Sequence, residues 1–192
     1  HLTNSNAILS DALESIINVV AGSFALYSLI LAAKPKDRDH PYGHGKIEFI
    51  SSGIEGTLIL LAGVSIVAKS IHDLFNIHEL TELDLGLYLS AVAGFINYTL
   101  GWFTERYGRI NNSPTMIASG KHLKSDGYTS LGLILGLAVV LFTGMYWVDS
   151  AIAAAFGAYI SFIGVKEIRK SVAGIMDEAD FELLQELITD ID

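Results

Sequence analysis

Cysteine is absent from the 192-residue chain. Disulfides and thiolate metal sites are therefore excluded, and any bound metal must use His, carboxylate, amide or water ligands. Basic residues are scarce: Lys and Arg number 12 against 21 Asp and Glu, for a formal net charge of −9. That balance argues against a nucleic-acid partner, because phosphate binding is carried largely by Lys and Arg. Proline occurs three times, at Pro35, Pro41 and Pro114, and interrupts no long apolar run. Apolar residues fill the space: 51% of the chain is hydrophobic and the mean hydropathy is +0.45. Several runs approach or exceed the ~20 residues that cross a bilayer as a helix. The class is an all-α, polytopic membrane protein, with the lipid bilayer as its first partner.

Run length predicts five spans, near Ala7–Ala33, Phe49–Phe75, Leu85–Phe103, Met116–Phe142 and Ser150–Val165. Lys34, Lys36, Arg38 and Lys46 lie in the first loop. Arg106, Arg109, Lys121 and Lys124 surround the third, and Lys166, Arg169 and Lys170 follow the last span. With alternating spans these three basic segments share one face. The positive-inside rule makes that face, and the C-terminal tail, cytoplasmic. Five spans then put His1 on the outer side, so we expect one further helix upstream and a chain cut at both ends.

The first run, AILSDALESIINVVAGSFALYSLILAA, carries Asp11, Glu14 and Asn18 in its first half. Ionisable groups in hydrocarbon cost several kcal/mol, so they face a cavity, a partner or an ion. Glu14 and Asn18 are four apart and share a helical face. In the fourth span His122 and Asp126 repeat that spacing, in KHLKSD. Two such pairs on facing helices supply four ligands for one cation. The blander readings are a polar packing stripe for Glu14 and Asn18, a solvated His122 beside Lys121 and Lys124, and a helix-dipole charge at Asp126. A rival register uses Asp11 and Ser15, by the echo of Ser10-Asp11 and Ser15 in Ser125-Asp126 and Ser130. Serine is a poor ligand for a divalent ion, which leaves Asp11 as an entry or proton-path residue.

The loop DRDHPYGHGKIE holds Asp37, His40 and His44, with Asp39 and Glu48 nearby. Asp37-x-x-His40-x-x-x-His44 has the ligand types and density of a second metal site. Gly43 and Gly45 allow a close backbone wrap. The alternative is a solvated turn of mixed charge. Small residues at Gly132-x-x-x-Gly136 and Ala153-x-x-x-Gly157 indicate tight helix packing and identify no ligand.

HPYGHGKIE, SNAILSDALES and KHLKSDGYTSLG, taken in order, resemble the cation diffusion facilitator family of divalent-metal transporters. The resemblance covers nearly the whole chain. It implies a bundle of six helices, of which five are present, over residues 1–173. It also implies a cytoplasmic metal-binding domain of which residues 174–192 are the truncated beginning, and a homodimer joined through that domain. The transport site carries over onto Glu14, Asn18, His122 and Asp126, and a loop site onto Asp37, His40 and His44. The interval from Asn18 to His44 supports this register over Asp11/Ser15. In some members a Lys of the GHGK run pairs with an Asp after the last span. Here those are Lys46 and Asp177, which would brace the dimer as a charge interlock.

Zinc members usually present His or Asp, then Asp, where this chain has Glu14 and Asn18. Three oxygens and one nitrogen make a harder site, favouring Mn²⁺ or Fe²⁺ relative to softer sets, with Zn²⁺ and Co²⁺ as rivals. The implied activity is efflux from the cytoplasm by alternating access, with protons as counter-ion. A transport-silent subunit that binds metal or stabilises another transporter is the alternative. An enzyme is disfavoured, because no separate nucleophile or general base accompanies the ligands.

Overall fold

The computed structural model describes residues 6–75, 84–143 and 146–178, with side chains from Asn18 onward except in 84–90, 141–143, Tyr146 and a few positions of the fourth helix. Five helices make up this part: α1 (Asn6–Ala32), α2 (Ile47–Phe75), α3 (Asp84–Ile110), α4 (Pro114–Thr143) and α5 (Tyr146–Ile175). Each predicted span corresponds to one helix. The helices α2 to α5 outrun their spans, most of all α3, which continues seven residues past Phe103 to Ile110, and α5, which continues through Lys166 and Lys170 to Ile175. Charged residues mark where hydrocarbon ends, and a helix is free to continue beyond it. By length and composition α2 and the Trp147–Ile175 part of α5 qualify as membrane spans.

The helix ends explain themselves locally. Asn112 adopts φ +49°, and the Ser113 N–H donates to the Gly108 carbonyl at 2.9 Å, closing α3 in a Schellman turn. Ser113 then caps α4 by accepting from the Met116 N–H at 3.3 Å, and Pro114 occupies the first helical position, where no N–H is needed. The end of α5 repeats the first device: Asp177 has φ +53°, and the Glu178 N–H donates to the Ala173 carbonyl at 2.9 Å.

Packing is inverted relative to a water-soluble protein. Val20, Leu26, Ile30, Phe95, Phe103 and Phe162 are exposed, while Ser28, Ser51, Ser52, Thr115 and Ser125 are buried. Large apolar groups facing outward and small or hydroxylated groups facing inward suit a bundle solvated by lipid. The helices form two tight antiparallel pairs, α2 with α5 and α3 with α4. The central helix is α4, which also touches α2, α5 and α1, and α1 lies against α2 and α4.

Glycine allows the close approach within each pair. Gly56 and Gly63 of α2 meet Gly164 and Gly157 of α5, while Gly101 and Gly108 of α3 run beside the first half of α4. A Cβ at Gly164 would lie 2.5 Å from the Leu60 nitrogen and 2.9 Å from the Gly56 carbonyl oxygen. The glycines recur at intervals of seven, at Gly94, Gly101 and Gly108 and at Gly120 and Gly127. A seven-residue repeat keeps one seam facing its partner along the pair. The Gly132 and Gly136 pair singled out in the sequence also lies at a helix contact, facing Phe156 and Asp149 of α5.

Candidate functional site

Position along α4 sets the depth of the first constellation. His122 and Asp126 lie eight and twelve residues after Pro114, hence about 12 and 18 Å along a helix of 30 residues, in its first half. Across from them is α1. His122 Nε2 stands 3.0 Å from Asn18 Oδ1 and 3.9 Å from Asp126 Oδ2. Two atoms each about 2.1 Å from one ion lie about 3.0–3.4 Å apart in octahedral or tetrahedral geometry, so the Asn18–His122 spacing suits a shared cation. Both His122 and Asp126 are largely withdrawn from solvent. His122 Nδ1 is buried without a hydrogen-bond partner among the described residues. Three of the four expected ligands are thus brought together from two helices. Glu14 and Asp11 lie on α1, with Ser15, but their side chains fall outside the described residues.

The second constellation is built by a turn. The Asp37 carboxylate accepts from the His40 backbone N–H at 2.6 Å and faces His40 Nδ1 at 3.0 Å, while His44 Nε2 lies 3.4 Å from its other oxygen. One ligand atom from each of Asp37, His40 and His44 falls within 4.8 Å of the others. Gly43 adopts φ +91°, and its N–H donates to the His40 carbonyl at 3.0 Å, so the chain doubles back and stacks the imidazoles with centroids 4.3 Å apart. The Asp37 carboxyl is held below its ordinary value of 3.8, first by the His40 backbone N–H; a burial cost opposes this, and the His40 side chain and the His40 and His44 charges reinforce it. Oxygen and imidazole donors converging in this way fit a divalent transition metal. His44 Nδ1 is buried and unpartnered, an orphan that a bound water or a rotated ring would satisfy.

Beside this turn Lys46 Nζ donates to Asp177 Oδ2 at 2.8 Å and to the Ile175 carbonyl at 3.3 Å. The expected Lys–Asp pair therefore forms within one chain, between the start of α2 and the end of α5. Glu48 contacts Ser113 as well, which gathers the first loop, the α3–α4 turn and the end of α5 at one end of the bundle.

A profile of the cation efflux transmembrane domain matches residues 1–176. The chain belongs to the cation efflux family, the cation diffusion facilitators. An uncharacterized transporter of Synechocystis sp. is 35% identical over 178 residues, covering 93% of this chain and 57% of its own length. Magnetosome protein MamB of Magnetospirillum gryphiswaldense is 32% identical over 186 residues, covering 96% and 62%. Manganese efflux system protein MneP of Bacillus subtilis is 31% identical over 195 residues, covering 95% and 64%. The chain spans about three fifths of the length of the curated relatives it matches. By name one of these relatives is a transporter, one a magnetosome protein and one a manganese efflux system protein, and none of the three is named as an enzyme.

Sequence reasoning missed a set of buried charges that this cation efflux domain carries at its basic end. Lys121 and Lys124, counted with the basic segment around the third loop, are mostly buried and paired. Lys121 donates to Glu167 of α5, and Lys124 Nζ donates to Glu105 of α3 at 2.8 Å. Arg109 Nε reaches the same Glu105 at 3.1 Å. Glu55 of α2 accepts from Ser119 Oγ at 2.6 Å, and its second oxygen is buried without a partner among the described residues. The available signal was the rule applied to Glu14: Glu55 interrupts an apolar run, and such groups face inward.

Proposed function

We propose that this chain is the membrane part of a divalent transition-metal transporter that moves M²⁺ out of the cytoplasm in exchange for protons. The observation that carries it is His122 Nε2, 3.0 Å from Asn18 Oδ1 and 3.9 Å from Asp126 Oδ2, withdrawn from solvent between α1 and α4. Glu14, one helical turn before Asn18, completes a four-ligand set. The ion is the substrate. It exchanges its water shell for these four groups as it enters from the basic, cytoplasmic end. His and carboxylate ligands bind metal only when deprotonated, so loading releases protons. When α1 and α4 rock to expose the site on the far side, protons displace the ion, which makes the cycle an antiport by alternating access. Asn18 cannot titrate, so fewer protons exchange per ion than at an all-ionisable site. Asp11 lies one turn before Glu14, toward the outer end of α1, on the proton path.

Three oxygen ligands and one imidazole rank Mn²⁺ and Fe²⁺ ahead of Zn²⁺ and Co²⁺. The name of the manganese-efflux relative supports that order. Asp37, His40 and His44 hold a second, resident ion that cross-braces the loop. Lys46 and Asp177 fasten the same end where a second copy joins to form a homodimer, and the cytoplasmic domain starts at about residue 174.

The test is metal-stimulated proton flux in proteoliposomes, with Mn²⁺, Fe²⁺, Zn²⁺ and Co²⁺ in turn. Flux with Mn²⁺ or Fe²⁺ that vanishes in Asp126→Ala is the expected result. A wild-type chain as inert as Asp126→Ala would instead make it a transport-silent subunit.

A further inference from the structure

On the side of α4 away from α1, a cavity of 240 Å³ opens between α3, α4 and α5. Its polar wall carries Arg109, Lys121, Lys124 and Lys166 against two carboxylates, Glu105 and Glu167. Glu105 is shared by Arg109 and Lys124, and Glu167 is taken by Lys121. The wall therefore keeps an excess of two positive charges. Lys170 stands one turn beyond Lys166 on α5 and extends the basic stripe. Such an excess in a partly desolvated site calls for an anion.

The remaining walls say which kind. Tyr128, Tyr159, Phe162 and Ile163 continue the cavity toward the apolar part of the bundle, with the Tyr128 and Tyr159 rings edge-to-face at 5.7 Å. Tyr159 and Phe162 are 51% and 65% exposed, so the opening faces sideways, toward lipid. An independent marker fixes the depth. Gly101 packs against Lys124, and the next residue, Trp102, is an exposed indole with the Arg106 guanidinium 5.2 Å from its ring centre. Trp and Tyr with Arg mark the headgroup level of a bilayer. A cationic pocket at headgroup depth with an apolar lip matches an amphiphile better than a free ion.

We infer that the cavity between α3, α4 and α5 binds the phosphodiester headgroup of an anionic phospholipid, with an acyl chain along Tyr159 and Phe162. Which leaflet supplies it rests on the orientation proposed above, but binding itself does not.

The experiment is native mass spectrometry of the full chain released from micelles containing phosphatidylglycerol and phosphatidylcholine in equal amounts. One phosphatidylglycerol per chain is expected to be retained at least fivefold over phosphatidylcholine. Lys166→Gln/Lys170→Gln should abolish that preference with helical circular dichroism unchanged, and Lys166→Gln alone should weaken it. Lys34→Gln/Lys36→Gln removes the same charge from the same end outside the cavity and should leave the preference intact. Equal retention of the two lipids, or equal loss in both double variants, would overturn the assignment. Displacement of the lipid by millimolar inorganic phosphate would reassign the pocket to a free anion. None of these readouts depends on metal transport, so failure here and failure of the transport reading are distinguishable.

Discussion

The two proposed ligand clusters are made of similar groups and built in opposite ways. Asp37, His40 and His44 span eight residues, and one turn with Gly43 at positive φ delivers all three. Asn18 and His122 are 104 residues apart and meet only because α1 lies on α4. The loop cluster is open to water at Asp37 and His40, whereas the helical cluster is largely withdrawn. A local cluster survives disturbance elsewhere in the fold. A cluster held by helix packing inherits every shift of that packing, which is what a site with two accessible states requires.

The largest contrast should come from the ligands themselves. Asp126→Ala or His122→Ala is expected to lower metal-driven flux by about 100-fold or more, the scale of losing a buried charged contact of about 3 kcal/mol. His40→Ala should cost about threefold to tenfold, the scale of one exposed contact near 1 kcal/mol. Flux measured for the three variants at equal reconstitution decides it. Equal losses would erase the distinction between the clusters.

Packing gives the next test. Gly164→Val places a side chain against the α2 backbone at Leu60 and Gly56, and overpacking of this kind costs about 1–3 kcal/mol. Thermal unfolding should fall and flux with it, while Mn²⁺ binding by the loop, read by calorimetry on Asp126→Ala/Gly164→Val, stays within twofold of Asp126→Ala. Loss of loop binding would show that the turn depends on the bundle.

Acid should act differently on the two clusters. The Asp37 carboxyl lies below its ordinary 3.8 in the folded chain. The stabilisation is therefore present above 3.8 and lost only as pH falls through the lower folded value. Asp37 keeps its charge at any pH above 3.8, so the factor by which Asp37→Asn weakens metal binding by the loop should be the same at pH 5 and at pH 7. A factor that shrinks from pH 7 to pH 5 would show Asp37 taking up a proton in that range.

How much of this was legible depended on distance along the chain. The loop cluster and the i, i+4 pair His122/Asp126 are visible in sequence because their geometry is local. That Asn18 faces His122 is legible only through the matching pair and the family resemblance, since periodicity gives the face of a helix and not its neighbour. Glu105, Arg109 and Lys166 mark where the apolar runs stop, and α3 and α5 continue past those runs. Asn112, Ser113 and Pro114 carried the real stop signal. The pairing of Lys121 and Lys124 is not legible, because their partners, Glu167 and Glu105, lie on other helices. The glycine seams were legible in principle, but at a period of seven, not four.

The smallest effect concerns a charged link between the two regions, Lys46 with Asp177. Both side chains are mostly exposed, at 59% and 74%, so the pair contributes about 0–1 kcal/mol within one chain, and salt weakens it. The backbone matters more here than the charge. Asp177 sits at the left-handed position that ends α5, where a Cβ costs about 1 kcal/mol and glycine avoids the cost. Asp177→Ala loses the pair and keeps the backbone cost, so its melting temperature should fall by a few degrees. Asp177→Gly loses the same pair and relieves the backbone, so it should melt within about a degree of wild type. If Asp177→Gly falls as far as Asp177→Ala while Lys46→Ala matches both, the ion pair outweighs the turn. The loop would then be fastened to the bundle by charge, and its independence would fail at this one contact.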